Sequence, residues 1–191
     1  MTFLFVGNDP ALDFVNTELA DADLLQSLAD LVAWLTAAGL LDGPGRRLAR
    51  RWEVRAAGTR AFTEARAFRD LMRRSLAQAA SGRGIPDALI QEVNRLLRRG
   101  QSSDVIARRG ARLVRDTRRR VSAPGDLVVL LADAIARFLC NADLSRVRKC
   151  ANRECVLYFY DTSKNQTRRW CRMDVCGNRA KVAAWTRRHL L

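Results

Sequence analysis

Residues 150–179 read CANRECVLYFYDTSKNQTRRWCRMDVCGNR, and the rest of the chain is organised around this stretch. Cys150 and Cys155 stand at Cys-x4-Cys spacing, fifteen residues follow, and Cys171 and Cys176 repeat the spacing. Each short pair can reach one metal from a tight turn. Two pairs complete a tetrahedron of thiolates at about 2.3 Å from zinc. Four cysteine ligands leave no open position for water or substrate, so the metal implied is one structural Zn2+. The competing readings are disulfides and simple burial. Disulfides need an oxidising compartment, and nothing in the sequence suggests export. Four of the five cysteines fall within 27 residues, which burial alone does not require.

The order of residues around the ligands suggests the kind of unit. Val156 to Tyr160 are β-branched or aromatic and predict a strand. Asp161 to Asn165 form a polar turn cluster, after which Arg168-Arg169-Trp170 leads back to Cys171. Asp174 is a candidate N-cap, and 177–190 contain mostly good helix formers. The expected unit is a treble-clef-like finger of knuckle, β-hairpin and helix. Such a unit is too small to hold itself by a hydrophobic core, so its folding should be coupled to metal binding.

Cys176-Gly177-Asn178-Arg179, with Arg168-Arg169-Trp170-Cys171 and the first Cys-x4-Cys upstream, resembles the CGNR zinc-finger family. Leu12-Asp13-Phe14-Val15-Asn16-Thr17 resembles the opening of the ABATE domain, which usually precedes that finger. Together the two cover nearly the whole chain. The resemblance implies a stress-related bacterial transcription regulator whose finger binds DNA.

Length, charge and hydropathy set the bounds. At 191 residues the chain can hold one good core plus a small appendage. No apolar run approaches the 18 or more residues of a membrane span, so a cytoplasmic protein with reduced cysteines and no membrane partner is expected. Net charge is +14, and it is unevenly distributed. Residues 146–191 carry 12 Lys/Arg against 3 Asp/Glu, whereas residues 1–145 carry 22 against 17. Positive charge concentrated on the cysteine segment is the footprint of a polyanion partner. Arginine-rich composition in general is the bland alternative, and it accounts less well for the asymmetry.

The remainder reads as mainly α. Phe3 to Val6 suggest a short strand, and Pro10 can open a short helix at its N1 position. Asp13, Asn16 and Thr17 would share one face of that helix, either lining an N-terminal pocket or bracing the core. Leu24, Leu28, Leu31, Leu35 and Ala38 recur at helical spacing up to Gly39, with Trp34 off the stripe. A helix over 46–56, ended by Gly58, should be followed by a longer one over 59–80 and another from Pro86 to Gly100. Val105-Ile106-Ala107 and Leu113-Val114, around Gly110, read as two short strands, with a helix as the alternative. Asp126 then opens an almost wholly apolar helix expected to be the buried centre, with Cys140 in its core. The division expected is a helical ABATE-like domain over 1–145, sensing a ligand or dimerising, and a CGNR-type finger over 146–191.

No catalytic constellation emerges. His189 is the only histidine, no Ser or Cys nucleophile motif accompanies it, and no phosphate-binding glycine loop is present. The chain is therefore expected not to be an enzyme. Candidate nucleic-acid contacts are Arg168, Arg169 and Arg172 around the third ligand, Asn178 and Arg179 beside Cys176, and Lys181 and Arg188 on one side of the last helix. Arginine suits phosphates and guanine edges through its bidentate fork. Asn178 and Arg179 could equally support the zinc site, and Val182 and Trp185 are expected to pack inward. The partner expected is DNA, with RNA left open, a small-molecule effector of unknown class for the N-terminal domain, and a homodimer for sequence-specific readout. The alternative is a zinc-stapled protein-docking module without nucleic-acid contact. A steep salt dependence of DNA binding separates the two.

Overall fold

The computed structural model describes residues 2–189. It contains seven helices and two small hairpins among those residues: α1 Pro10–Val15, α2 Leu28–Ala37, α3 Gly43–Ala49, α4 Ala56–Ala80, α5 Asp87–Arg99, β1 Ser102–Arg109, β2 Arg112–Arg119, α6 Asp126–Asn141, β3 Val147–Lys149, β4 Tyr158–Tyr160 and α7 Asn178–His189. The chain is mainly helical, with short β-hairpins and a C-terminal four-cysteine cluster. Residues 2–26, 69–86 and 137–189 form one compact unit, and residues 27–68 and 87–136 form a second. The cysteine segment therefore shares a unit with the N-terminus and with part of α4.

In the second unit the apolar spacing produces the helices expected of it, with shifted ends. Ser27 caps α2 by accepting from the Asp30 amide, so the helix starts at Leu28, four residues after the first apolar position of the stripe, Leu24. Gly39 ends it at φ 72°, a left-handed conformation that favours glycine. The expected helix over 46–56 is instead α3 followed by a single 3-10 turn, Arg50–Trp52. Gly58 does not stop a helix; it lies in the first turn of α4. There a Cβ would come within 2.1 Å of the Trp52 carbonyl oxygen, so only glycine lets the two segments approach. Leu31, Leu35, Ala65, Leu89, Leu96 and Leu127 to Val129 are almost fully buried and supply this unit's core.

Residues 102–119 form an antiparallel hairpin with Arg109 opposite Arg112 across Gly110-Ala111, as the two-strand reading expects. Gly110 takes φ 61°, which a two-residue hairpin turn requires. α6 buries Leu127 to Leu131, Ile135 and Phe138, as an apolar helix should, but Cys140 in its last turn is exposed. The core placement of that thiol is corrected: periodicity weakens in the last turn, where the buried face has run out.

In the first unit, Phe3 to Val6 belong to no strand. Asp9 caps α1 through the Ala11 amide at 2.8 Å, and Pro10 occupies the first turn. Asp13, Asn16 and Thr17 are buried, and each is hydrogen-bonded to another part of this unit. Asp13 Oδ1 accepts the Gly7 amide at 2.7 Å. Asn16 clasps the Tyr158 backbone, donating Nδ2 to its carbonyl and accepting its amide, both at 2.8 Å. Thr17 Oγ1 donates to the Phe14 carbonyl and accepts from Arg69.

Burial raises the Asp13 carboxyl from 3.8 to about 6, against the lowering effect of the backbone amides of Gly7 and Val6. The folded chain thus holds this proton more tightly than the unfolded chain. Its contribution to stability is fully present below pH 3.8 and is lost as pH rises through about 6. Over that window Asp13→Asn should flatten the pH dependence of urea unfolding by up to about 3 kcal/mol. An unchanged slope would mean that Asp13 is not the group titrating.

Candidate metal centre and nucleic-acid face

The cysteine segment is built from a knuckle closed by the second hairpin. β3 and β4 pair antiparallel on either side of the Cys150–Cys155 loop, with Val147 opposite Tyr160 and Lys149 opposite Tyr158. The order of residues pointed to a hairpin turning at 161–165, so the strand expectation holds and its partner differs. The reason is Asp161, which is fully buried. Its carboxylate accepts the Ser163 amide and hydroxyl and the Arg168 amide, holding residues 161–168 as a side-chain-organised loop. These donors outweigh desolvation and lower the Asp161 carboxyl. The returning chain then reaches the knuckle through one backbone bond, Ala151 amide to Arg169 carbonyl, at 2.8 Å.

Of the second pair, Cys171 precedes and Cys176 lies on a π-helical turn, Met173–Gly177, that runs directly into α7. Asp174 is not the cap expected; it sits inside that turn, paired with Arg172. Gly177 permits the tight junction, since a Cβ there would meet Met173 Sδ at 2.3 Å and the Trp170 ring at 3.2 Å. Leu190, placed at the helix end by its sequence, lies outside the described residues.

The four Sγ atoms of Cys150, Cys155, Cys171 and Cys176 all lie within 4.8 Å of one another. Cys155 and Cys171 are 3.7 Å apart and Cys171 and Cys176 3.6 Å. A tetrahedron with zinc–sulfur bonds of about 2.3 Å has edges of about 3.8 Å, so the cluster fits one such ion. The four thiols are positioned to hold one metal ion, and zinc suits this donor set. Three of the four are buried and Cys155 is half-buried.

The thiols are not uniformly ready for metal. Burial pushes the Cys155 thiol up to about 11 and the Cys171 thiol higher still. Burial also raises Cys150, but the Cys171 and Asn152 amides aimed at its sulfur outweigh this and leave it lowered. Metal binding must therefore displace protons from buried thiols.

Asn152, inside the knuckle, carries no signal in the sequence that sets it apart. Its Nδ2 lies 3.7 Å from Cys176 Sγ, its Oδ1 accepts the Glu154 amide, and its carbonyl accepts the Cys155 amide. It therefore links the two ligand pairs and shapes the turn of the first. An Asn two residues after a ligand is an ordinary turn residue, and spacing alone gives it no further role.

The expected nucleic-acid residues divide into groups. Arg168 is turned inward: its guanidinium bonds the carbonyls of Trp170, Cys171 and Val6 and lies 4.3 Å from the centre of the Phe159 ring. These contacts brace the loop. Arg169 is exposed and lies over Trp170, and Arg172 is exposed but paired with Asp174. Asn178 donates to the Asp174 carbonyl at 3.1 Å, so it holds the π turn that carries Cys176. Arg179, Lys181 and Arg188 are exposed on α7.

The inward packing expected of Val182 and Trp185 is not observed. They are 64 % and 55 % exposed, and α7 buries no residue. Trp185 instead stacks on His189, with ring centres 4.6 Å apart. The hydrophobic partners of the zinc site come from Leu157, Phe159 and, outside the segment, Leu4, Val6 and Leu19. Of the two tyrosines of β4, Tyr158 is buried, and Tyr160 is half-buried and packs edge-on to Phe138 beneath Arg146.

No helix among the described residues is long and apolar enough to cross a membrane. No curated protein matches the chain. Residues 146–189 match the family model described as CGNR zinc finger. Residues 8–142 match the ABATE model, described as "Putative stress-induced transcription regulator". With that match spanning most of the sequence and the four thiols gathered at one point, the chain belongs to the ABATE family and carries a CGNR zinc finger.

Proposed function

We propose that this protein is a non-catalytic, DNA-binding transcription regulator of the cytoplasm, with the zinc-bound segment 146–191 contacting DNA. In this reading residues 1–145 sense an effector or mediate assembly. The observation that carries it is α7. This helix carries Arg179, Lys181, Arg187 and Arg188, no acidic residue and no buried side chain. A stiff, unobstructed row of cations next to a rigid metal site is what phosphate contact needs. Arg169 and Arg172 extend the same charge along the cysteine segment.

A second reading has its own observation. Val182 and Trp185 lie exposed on that same helix, and exposed aromatic residues mark protein docking as readily as nucleic acid. Salt dependence separates the two. Zinc-loaded full-length protein, titrated against labelled duplex DNA, should lose affinity steeply as salt rises. Lys181→Ala with Arg188→Ala should lower the slope of log affinity against log salt by about 0.9 for each phosphate that is no longer neutralised. Point variants are the right tools, because removing 146–191 would strip Leu4, Val6 and Leu19 of their partners. Binding indifferent to salt and to both substitutions would favour protein docking, as would no binding.

A further inference from the structure

We infer that the free edge of β1 pairs with the same edge of a second copy of this chain, centred on Ile106. This pairing is independent of the DNA reading, since it concerns a different surface and a different partner.

The hairpin is a two-stranded sheet with two open edges. An isolated two-stranded sheet is marginal in water, and an open edge is a template for another strand. The pairing register and the Arg120 amide to Gln101 carbonyl bond fix which groups face outward. Gln101, Ser103, Val105, Ala107 and Arg109 point their backbone groups at β2. Ser102, Asp104, Ile106 and Arg108 therefore point theirs away from it, and no hydrogen bond involves those outward groups among the described residues.

The two edges differ in charge. β2 carries Arg112, Arg115, Arg118 and Arg119 against Asp116 alone, the kind of repulsion that blocks edge pairing. β1 has only Val105, Ile106 and Ala107 at its middle, with Asp104 on one side and Arg108 on the other. Ile106 is 78 % exposed, although it is a strand-forming apolar residue.

Antiparallel pairing of β1 with its copy about a two-fold axis permits only a few registers. Centring on Asp104 sets Asp against Asp, and centring on Arg108 sets Arg against Arg. Centring on Ile106 sets Asp104 of each copy opposite Arg108 of the other, with the two Ile106 side chains meeting at the axis. In this register the outward-facing backbone groups of residues 104, 106 and 108 all find partners. Asp104 already accepts from Arg115 and Thr117, yet its side chain keeps 45 % of its exposure, and a carboxylate can accept more than two donors. Arg108 has no ion pair among the described residues. The result is a four-stranded sheet in which the outward backbone groups of Asp104, Ile106 and Arg108 on both joined edges are paired.

Sedimentation equilibrium of the zinc-loaded full chain tests this. The expected mass is twice 21.5 kDa. Ile106→Pro removes one outward N–H and no bond within the hairpin, so it should raise the dimer dissociation constant about tenfold or more. Asp104→Arg alone sets like charges across the axis and should also dissociate the dimer. Adding Arg108→Asp to the same chain restores the complement and should restore the dimer, a rescue that misfolding of the hairpin would not give. A monomeric wild-type chain overturns the proposal, as does a dimer indifferent to Ile106→Pro or a swap without rescue. If the ribbon instead lay against DNA, the chain would be monomeric and Arg108→Asp would weaken DNA binding.

Discussion

Stripping zinc from the reduced full-length chain should unfold more than the finger. Amide protection in α1 should disappear together with that in β3 and β4. Cys150, Cys171 and Cys176 share one apolar cluster with Leu157 and Phe159, and Leu4, Val6 and Leu19 pack against it. Asn16 meanwhile has both of its amide-group bonds on Tyr158, the first residue of β4. Apparent zinc energies in finger peptides run to about 10–16 kcal/mol at neutral pH, comparable with or larger than the roughly 5–15 kcal/mol stability of a whole domain. Losing the metal therefore removes more than the surrounding packing can supply. Because burial raises the Cys155 thiol to about 11 and Cys171 further, zinc uptake releases protons and its affinity falls as pH falls. Hydrogen exchange with and without a chelator is the measurement. Retained protection in α1 while the cysteine segment exchanges freely would show that the finger folds by itself.

The metal site is readable in the sequence because its signal is local: spacing alone brings four thiols together, and the Cys-Gly-Asn-Arg run marks where the last helix begins. Helix positions are readable for the same reason, since apolar residues recur at helical spacing from Leu28 to Leu35 and from Phe62 to Leu76. What joins distant segments is not. Nothing periodic announces that Asp161 gathers Arg168 and Ser163, moving the hairpin partner of Tyr158–Tyr160 to Val147–Lys149. The exposure of Val182 and Trp185 is also hidden, because an apolar pair at i, i+3 looks alike whether it meets a core or solvent. The contacts of Arg168 are hidden in the same way. A side chain counted as surface charge is held by three backbone carbonyls and an aromatic ring.

The same kind of burial gives the second large effect. Asp23→Ala should cost the zinc-loaded chain about 3 kcal/mol in urea unfolding at neutral pH, more than any other single change near α1. Arg69 in α4 is 1 % exposed, and its guanidinium grips Asp23 with both terminal nitrogens at 2.7 and 2.6 Å. Among the described residues the other close acceptor is Thr17 Oγ1 at 2.9 Å, with Asp70 at 4.0 Å. Removing Asp23 thus leaves a buried cation nearly unpaired, the costly way to break an ion pair. The figure sits at the low end for buried pairs because Asp23 itself keeps 22 % exposure. Arg69→Met, which removes the charge and keeps much of the volume, should cost less than Asp23→Ala, and Thr17→Ala only about 1 kcal/mol. Equal losses for all three would mean that packing, not charge, fixes this corner. The ordering bears on the Leu12–Thr17 motif. Asp13, Asn16 and Thr17 act through Gly7, Tyr158 and Arg69, so substitutions there should be felt as lost stability of the unit that houses the metal.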